Sequence, residues 1–132
     1  MLDGPLRPAK DRLLGPLTRG PLGAVPPVAL SAVALVAALG AATAAWQQMP
    51  AAAVALWLIS RVTDGLDGAV ARHQDTASDR GGLIDIVFDT IGYAVIPLGI
   101  AAGIDTRAAW ITVAVLLAAF YVNAVSWTYL AA

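Results

Sequence analysis

Apolar residues in this chain form four long blocks separated by short polar breaks. The blocks cover about residues 25–46, 50–73, 79–104 and 107–130. Each is close to the roughly 20 residues that an α-helix needs to cross the hydrocarbon core of a bilayer. The breaks WQQMP and GIDTR are so short that they predict tight helical hairpins. The pattern therefore predicts an all-α, polytopic membrane bundle of about four transmembrane helices.

The segment before the first block follows a different pattern. Over residues 5–22, basic side chains alternate with leucines in a roughly amphipathic order that prolines and glycines interrupt. Such a segment is typical of a helix that lies in the membrane interface beside lipid headgroups. A disordered basic leader is the alternative interpretation. A signal peptide is not indicated, because the apolar block that follows is too long for one.

Composition supports a membrane protein and narrows its chemistry. The chain has 132 residues, of which 59% are hydrophobic and 13% charged, and it contains no cysteine. This length predicts a single membrane domain over residues 1–132. The absence of cysteine excludes a disulfide framework and thiolate catalysis.

The distribution of Lys and Arg predicts the orientation. Basic residues mark cytoplasmic segments of membrane proteins, and here only Arg107 falls on the opposite side. We therefore expect a bacterial cytoplasmic membrane protein with its N-terminus and its 73–80 loop in the cytoplasm. The basic residues on the cytoplasmic side are Arg7, Lys10, Arg12, Arg19, Arg72 and Arg80.

Four carboxylates interrupt the apolar blocks. Asp64 and Asp67 share one face of the second helix, and Asp85 and Asp89 share one stripe of the third, because a helix turns 100° per residue. Both pairs lie roughly 6–12 Å below the cytoplasmic helix ends, at about 1.5 Å per residue. Two antiparallel helices would therefore bring all four together.

Four carboxylates within a membrane need a compensating charge, since each costs about 3 kcal/mol by insertion scales. Two divalent cations would match them, and ligands that are all oxygen favour Mg²⁺ or Mn²⁺. Paired metal ions are the usual clamp for phosphoryl transfer. Protonation, as in a proton relay, is the alternative way to relieve the charge. The alternative function is a metal-ion or proton transporter that uses the same aspartates.

Small residues beside the carboxylates predict space for a ligand. Gly68, Ala71 and Gly81 would let a bulky group approach the backbone, and Arg72 could contact a phosphate at the membrane edge. Together these residues predict a metal-bound diphosphate held at the cytoplasmic interface.

The same stretch resembles the signature of the CDP-alcohol phosphatidyltransferases, DxxDGxxARx8GxxxDxxxD. Residues 64–89 match every fixed position and every gap. The resemblance implies transfer of a phosphatidyl or related phospho-alcohol group from a CDP-linked lipid to an alcohol, with release of CMP, in phospholipid biosynthesis. It also implies a homodimer and two ions of Mg²⁺ or Mn²⁺.

The resemblance also implies roles for individual residues. Asp64 and Asp85 would bind both metal ions, Asp67 one and Asp89 the other, and Asp89 would also act as the catalytic base. The residues implied to bind the CDP donor are Gly68, Ala71, Arg72, Ser78 and Gly81.

The chain departs from the family pattern in two places. Members usually have about six membrane helices, so the chain is interpreted either as the enzyme itself or as its N-terminal two-thirds; an inactive fragment that keeps the donor site is an alternative. Many members also have a Pro-Asn step followed by Thr near the start of the first helix. The residues here, weaker candidates for donor binding, are Pro27, Val28, Ala29, Leu30 and Ser31.

Overall fold

Four helices account for nearly all of the described chain. The computed structural model describes residues 24–76 and 78–131, with side chains as far as Trp127. The helices are α1 (Pro27–Trp46), α2 (Pro50–His73), α3 (Asp79–Ile104) and α4 (Arg107–Ala131). These ranges contain no strand, so the all-α prediction is confirmed. The predicted interfacial helix over 5–22 lies outside the described residues.

Local sequence signals explain where the helices begin. Proline occupies the first turn of α1 and of α2, where its missing N–H has no intrahelical partner to lose. Ser78 caps α3, since its hydroxyl accepts a hydrogen bond from the Gly81 N–H at 3.2 Å. Thr106 accepts a bond from the Ala109 N–H at 3.2 Å, immediately before α4. Capping thus satisfies backbone donors at the helix ends.

The first helix, α1, lies at the centre of the bundle. Both α2 and α3 pack along it, whereas within the described residues α2 and α3 do not pack closely on each other. Small side chains let the helix backbones approach, which is the usual means of helix association in membranes. The buried alanines of α1 are Ala34, Ala37, Ala38, Ala41, Ala42 and Ala44.

Two glycines of α3 form its closest contact with α1. A Cβ added at Gly99 would lie 2.3 Å from the carbonyl oxygen of Ala42, and one at Gly103 would lie 2.6 Å from that of Ala45. Any side chain at these positions would collide with backbone. The side-chain amide of Gln48 also donates a hydrogen bond to the Gly103 carbonyl, which ties the α1–α2 turn to the end of α3.

Three of the four helices are long and apolar enough to cross a membrane. They are α1, α3, and the part of α4 from Arg107 to Trp127. Helix α2 has 24 residues but carries Arg61, Asp64, Asp67 and Arg72, which lower its hydropathy. Its membrane crossing therefore remains a prediction. Large exposed apolar side chains on the outer surfaces, such as Val36, Ile86, Val115 and Val122, suit a lipid environment.

Helix α4 packs mainly on α3. The rings of Tyr93 and Phe120 meet with their centroids 5.6 Å apart and their planes inclined by 43°. Such tilted aromatic pairs add to the packing energy of the area they bury.

Candidate active site

The candidate site lies where the start of α1, the end of α2 and the start of α3 meet. Because α2 and α3 both pack on α1 and not closely on each other, a gap separates them at this end. Side chains from the two helices meet across the gap. A polar site can therefore form inside an otherwise apolar bundle.

Three aspartates converge in this gap. Asp64 and Asp67 of α2 and Asp85 of α3 each offer a carboxylate oxygen, and these oxygens all lie within 4.8 Å of one another. We call these three residues the carboxylate trio. Like charges so close repel one another strongly in a half-buried site, so a positive partner would stabilise the trio.

The trio fits a hard divalent cation. Oδ1 of Asp85 is buried and makes no hydrogen bond to any residue that the structure describes. A buried carboxylate oxygen without a partner is costly, and a metal ion would remove that cost. All the atoms that could bind the ion are carboxylate oxygens, which are the ligands that Mg²⁺ and Mn²⁺ prefer.

The carboxylate of Asp67 is held in place from two directions. Asp67 is only 4% exposed. Its Oδ2 accepts a hydrogen bond from the Ser31 hydroxyl of α1 at 2.5 Å, and its Oδ1 accepts one from the backbone N–H of Gly68. This carboxylate is thus oriented by α1 as well as by its own helix.

The fourth aspartate has a different partner. Oδ1 of Asp89 accepts a hydrogen bond from Nη1 of Arg61 at 2.8 Å. The same Nη1 lies 3.7 Å from Oδ2 of Asp64. Arg61 therefore links α2 to α3 beside the trio, and Asp89 pairs with a cation of the protein itself.

A cavity of about 510 Å³ opens next to the trio. All five residues that the resemblance assigns to the CDP donor line its wall, as do two members of the trio, Asp67 and Asp85. Its volume lies within the range typical of small-molecule sites. The donor-site residues along the wall are Gly68, Ala71, Arg72, Ser78 and Gly81.

The weaker candidates near the start of α1 separate into two groups. Pro27, Val28 and Ser31 line the cavity. Ala29 is exposed and does not line the cavity. Leu30 is buried in a core cluster with Leu66 and Val70. A helix presents only some of five successive residues to one side, so Ala29 and Leu30 lie outside the cavity wall.

Sequence reasoning missed several residues at the site. Gln74 and Thr76, in the loop after the motif, and Gly82 in α3 also line the cavity. The Gln74 side chain is fixed by a hydrogen bond to the Val25 carbonyl at 3.0 Å. Arg61 lies one helical turn before Asp64, and a basic residue within an apolar block was the signal that could have identified it.

Comparison of the sequence with known proteins identifies a family. The sequence model of the family described as CDP-alcohol phosphatidyltransferase matches residues 24–132. Inner membrane protein YnjF of Escherichia coli (strain K12) is 46% identical over 48 residues, which cover 36% of this chain and 23% of that protein. No solved structure matches the chain significantly.

Mycobacterial enzymes are also similar. CDP-diacylglycerol--serine O-phosphatidyltransferase of Mycobacterium bovis (strain ATCC BAA-935 / AF2122/97) is 38% identical over 71 residues, and its Mycobacterium tuberculosis (strain H37Rv) counterpart matches equally. The alignment covers 54% of this chain and 25% of those proteins, so the chain spans about a quarter of their length. The match over residues 24–132 shows that the chain belongs to the CDP-alcohol phosphatidyltransferase family.

Proposed function

We propose that this member of the CDP-alcohol phosphatidyltransferase family transfers a phosphatidyl group from a CDP-activated lipid, such as CDP-diacylglycerol, to an alcohol, and releases CMP. The observation that carries the proposal is the carboxylate trio at the edge of a cavity lined by all five donor-site residues of the motif. A transporter would also need the aspartates, but it would not need a cavity wall that carries all five donor-site residues of the motif.

The cavity wall suits the nucleotide diphosphate. Arg72 would pair with a phosphate, since guanidinium–phosphate hydrogen bonds are strong and directional. At Gly68 an added Cβ would lie 3.3 Å from the Arg72 guanidinium, and at Gly81 one would lie 3.3 Å from the Ser78 hydroxyl. Glycine at both positions therefore leaves room for these polar groups beside the donor.

The transfer is a displacement at phosphorus. The acceptor oxygen bonds to the β-phosphorus of the donor, the bond from that phosphorus to the bridging oxygen breaks, and CMP leaves. Asp89 takes the proton of the acceptor hydroxyl as general base. Asp64, Asp67 and Asp85 would hold Mg²⁺ or Mn²⁺, with Asp89 contributing to a second ion. When bound, these ions would neutralise the diphosphate and stabilise the departing CMP.

An alcohol without a phosphate is the acceptor that the charges favour. After Arg80 the chain contains only one basic residue, Arg107, at the start of α4 and far from the motif. A phosphorylated acceptor would need further cations near the trio. The mycobacterial relatives are named for transfer to serine, so serine is the first acceptor to test and glycerol 3-phosphate the contrast.

The proposed setting is a bacterial cytoplasmic membrane, with the site facing the cytoplasm and the protein acting as a homodimer. The charge asymmetry predicts this orientation, and the resemblance implies the dimer.

The decisive experiment measures CMP release from CDP-diacylglycerol in membranes that contain the chain. We expect CMP release when Mg²⁺ or Mn²⁺ and serine are present, and no release after EDTA. In Asp89→Asn, which lacks the base, the rate of CMP release should fall roughly 100-fold or more. Asp75→Asn is the matched control. Asp75 lies in the loop after α2 with φ 52°, a conformation that Asn tolerates well, and we expect it to retain activity.

Two results would contradict the proposal. One is CMP release that survives both EDTA and Asp89→Asn. The other is a chain that releases no CMP with any acceptor but moves Mn²⁺ or protons across sealed vesicles, which would indicate the transporter.

A further inference from the structure

We infer that Arg61 is an internal counter-ion that occupies Asp89 and competes with the second divalent cation of the site. The inference rests on the proposed metal site and assigns a role to a residue outside the family motif. Arg61 would act through Asp89 as a positioning residue rather than as a catalytic one.

The first observation is that the four aspartates are not equivalent. Asp64, Asp67 and Asp85 already place one oxygen each within a 4.8 Å group. Asp89 is directed at Arg61 instead, with Nη1 and Oδ1 2.8 Å apart. A first cation can therefore bind to the trio as it stands, whereas a second cation that uses Asp89 would bind a carboxylate whose Oδ1 already accepts a hydrogen bond from a guanidinium.

The second observation is that Arg61 is held firmly where it is. Its guanidinium lies over the ring of Tyr93, 5.1 Å from the centroid, a favourable cation–π geometry. Nη2 lies 3.2 Å from the hydroxyl of Ser60, which is fully buried. Two contacts besides Asp89 thus fix the cation, so it would stay near the site after Asp89 is released.

The third observation is the position of the charge. Nη1 of Arg61 also lies 3.7 Å from Oδ2 of Asp64, and both side chains are about three-quarters buried. Screening by water and salt is weak for partly buried charges. The guanidinium therefore offsets carboxylate repulsion before a metal binds, and afterwards it repels the incoming second cation.

The test is a titration of the full chain in lipid nanodiscs with Mn²⁺, in which electron paramagnetic resonance counts the free ion. We expect the wild type to bind one ion more tightly than the second. Arg61→Met should tighten the weaker site roughly tenfold, because it removes a competing charge at contact distance. Arg61→Lys keeps the charge and should stay close to the wild type.

Arg107→Met is the matched control, because it removes an exposed arginine that lies away from the carboxylate trio and Asp89. It should change the Mn²⁺ affinity of neither site. A second variant keeps Arg61 itself. Tyr93→Leu removes the ring beneath the guanidinium, so the weaker site should tighten by a smaller factor. A merely structural arginine would give the opposite sign, with weaker binding at both sites in Arg61→Met.

Equal or weaker Mn²⁺ binding at the second site of both Arg61→Met and Tyr93→Leu would overturn the inference. If the wild type releases CMP with Mn²⁺ while those variants show no tightening, the inference alone fails. If the wild type binds no Mn²⁺ and releases no CMP, the proposed function fails with it.

Discussion

Asp67 shows how a single residue is prepared for its role. Its carboxylate is almost wholly buried, yet both of its oxygens accept hydrogen bonds, from Ser31 and from the Gly68 backbone. Donors that orient a metal-binding carboxylate commonly change metal affinity when they are removed. In the proposed metal site, Ser31 would be a positioning residue for Asp67, and its hydrogen bond joins α1 to α2.

Replacing Ser31 by alanine should weaken the site. Ser31→Ala removes the donor to Oδ2 of Asp67, and we expect Mn²⁺ affinity to fall by about tenfold, at the lower end of the effect of outer-shell partners. Ser31→Thr keeps a hydroxyl and should retain most of the affinity. Thr43→Ala is the control, since the Thr43 hydroxyl donates its hydrogen bond to the Leu39 carbonyl of its own helix. An unchanged affinity in Ser31→Ala would show that Asp67 needs no orienting donor.

Replacing Asp85 by asparagine should separate stability from activity. Oδ1 of Asp85 has no described partner, so Asp85→Asn removes a buried charge that the metal-free protein does not satisfy. We expect the free energy of unfolding of the metal-free form to rise by about 1 kcal/mol, because charge repulsion is relieved. We expect CMP release to fall roughly 100-fold or more. Thermal denaturation in EDTA and the CMP assay measure the two effects. A variant that is less stable without metal would contradict the repulsion argument.

The sequence predicts where the aspartates of the motif lie better than it predicts which side chains they contact. Helical periodicity places Asp64 and Asp67 on one face of α2, and the similar depth of Asp85 in the antiparallel α3 adds the expectation that the three converge. The pairing of Asp89 with Arg61 depends on the rotation of two helices that are not packed closely together. No single-helix pattern contains that information.

Glycine determines the approach of α3 to α1 at the scale of elements. Gly99 and Gly103 lie four residues apart, on one face of α3, and both abut the backbone of α1. Small residues at this spacing allow close helix association in membranes. The contact is at the end of the bundle opposite the site, so it fixes α3 while leaving the gap beside the trio open.

A side chain at this contact should separate the helices. In Gly99→Leu the new Cβ would meet the Ala42 carbonyl at 2.3 Å, and we expect a loss of stability of about 3 kcal/mol or more, as for severe overpacking. Thermal denaturation in nanodiscs measures it. Gly82→Ala is the stability control, because nothing lies within 4 Å of its added Cβ and alanine favours helix by up to about 1 kcal/mol. Equal melting temperatures for the two variants would refute this packing.

Helix boundaries were readable from the sequence, whereas helix neighbours were not. Pro27, Pro50 and Ser78 mark the starts of three helices through local backbone chemistry. The expectation that the second and third helices would lie side by side missed the central place of α1. Its alanines permit close approach on more than one face, and an even spread of small residues gives no directional signal.

The two ends of the helix bundle differ in what they carry. The trio and its cavity lie where α2 ends and α3 begins, and the α1–α2 turn lies at the opposite end with Gln48 bonded to Gly103. The Lys and Arg distribution predicts that the first end is cytoplasmic. The site would thus open to soluble CMP on one side and to lipid on the other.

The absence of cysteine makes this orientation simple to test. Asp79→Cys and Gln47→Cys would each place one thiol at an exposed position, at opposite ends of the bundle. We expect a membrane-impermeant maleimide to label Asp79→Cys only in inside-out vesicles and Gln47→Cys only in right-side-out vesicles. The reverse pattern would place the candidate site on the outer surface.

The glycine contact at the far end also gives α3 a pivot. Asp85 precedes Gly99 by 14 residues, a lever of about 21 Å at 1.5 Å per residue. A tilt of only about 3° around the pivot would shift the Asp85 carboxylate by about 1 Å, and helices tilt to match the thickness of the bilayer around them. In the proposed metal site, the acyl-chain length of the surrounding lipids would therefore change the distance from Asp85 to the aspartates of α2, and with it the affinity for a divalent cation.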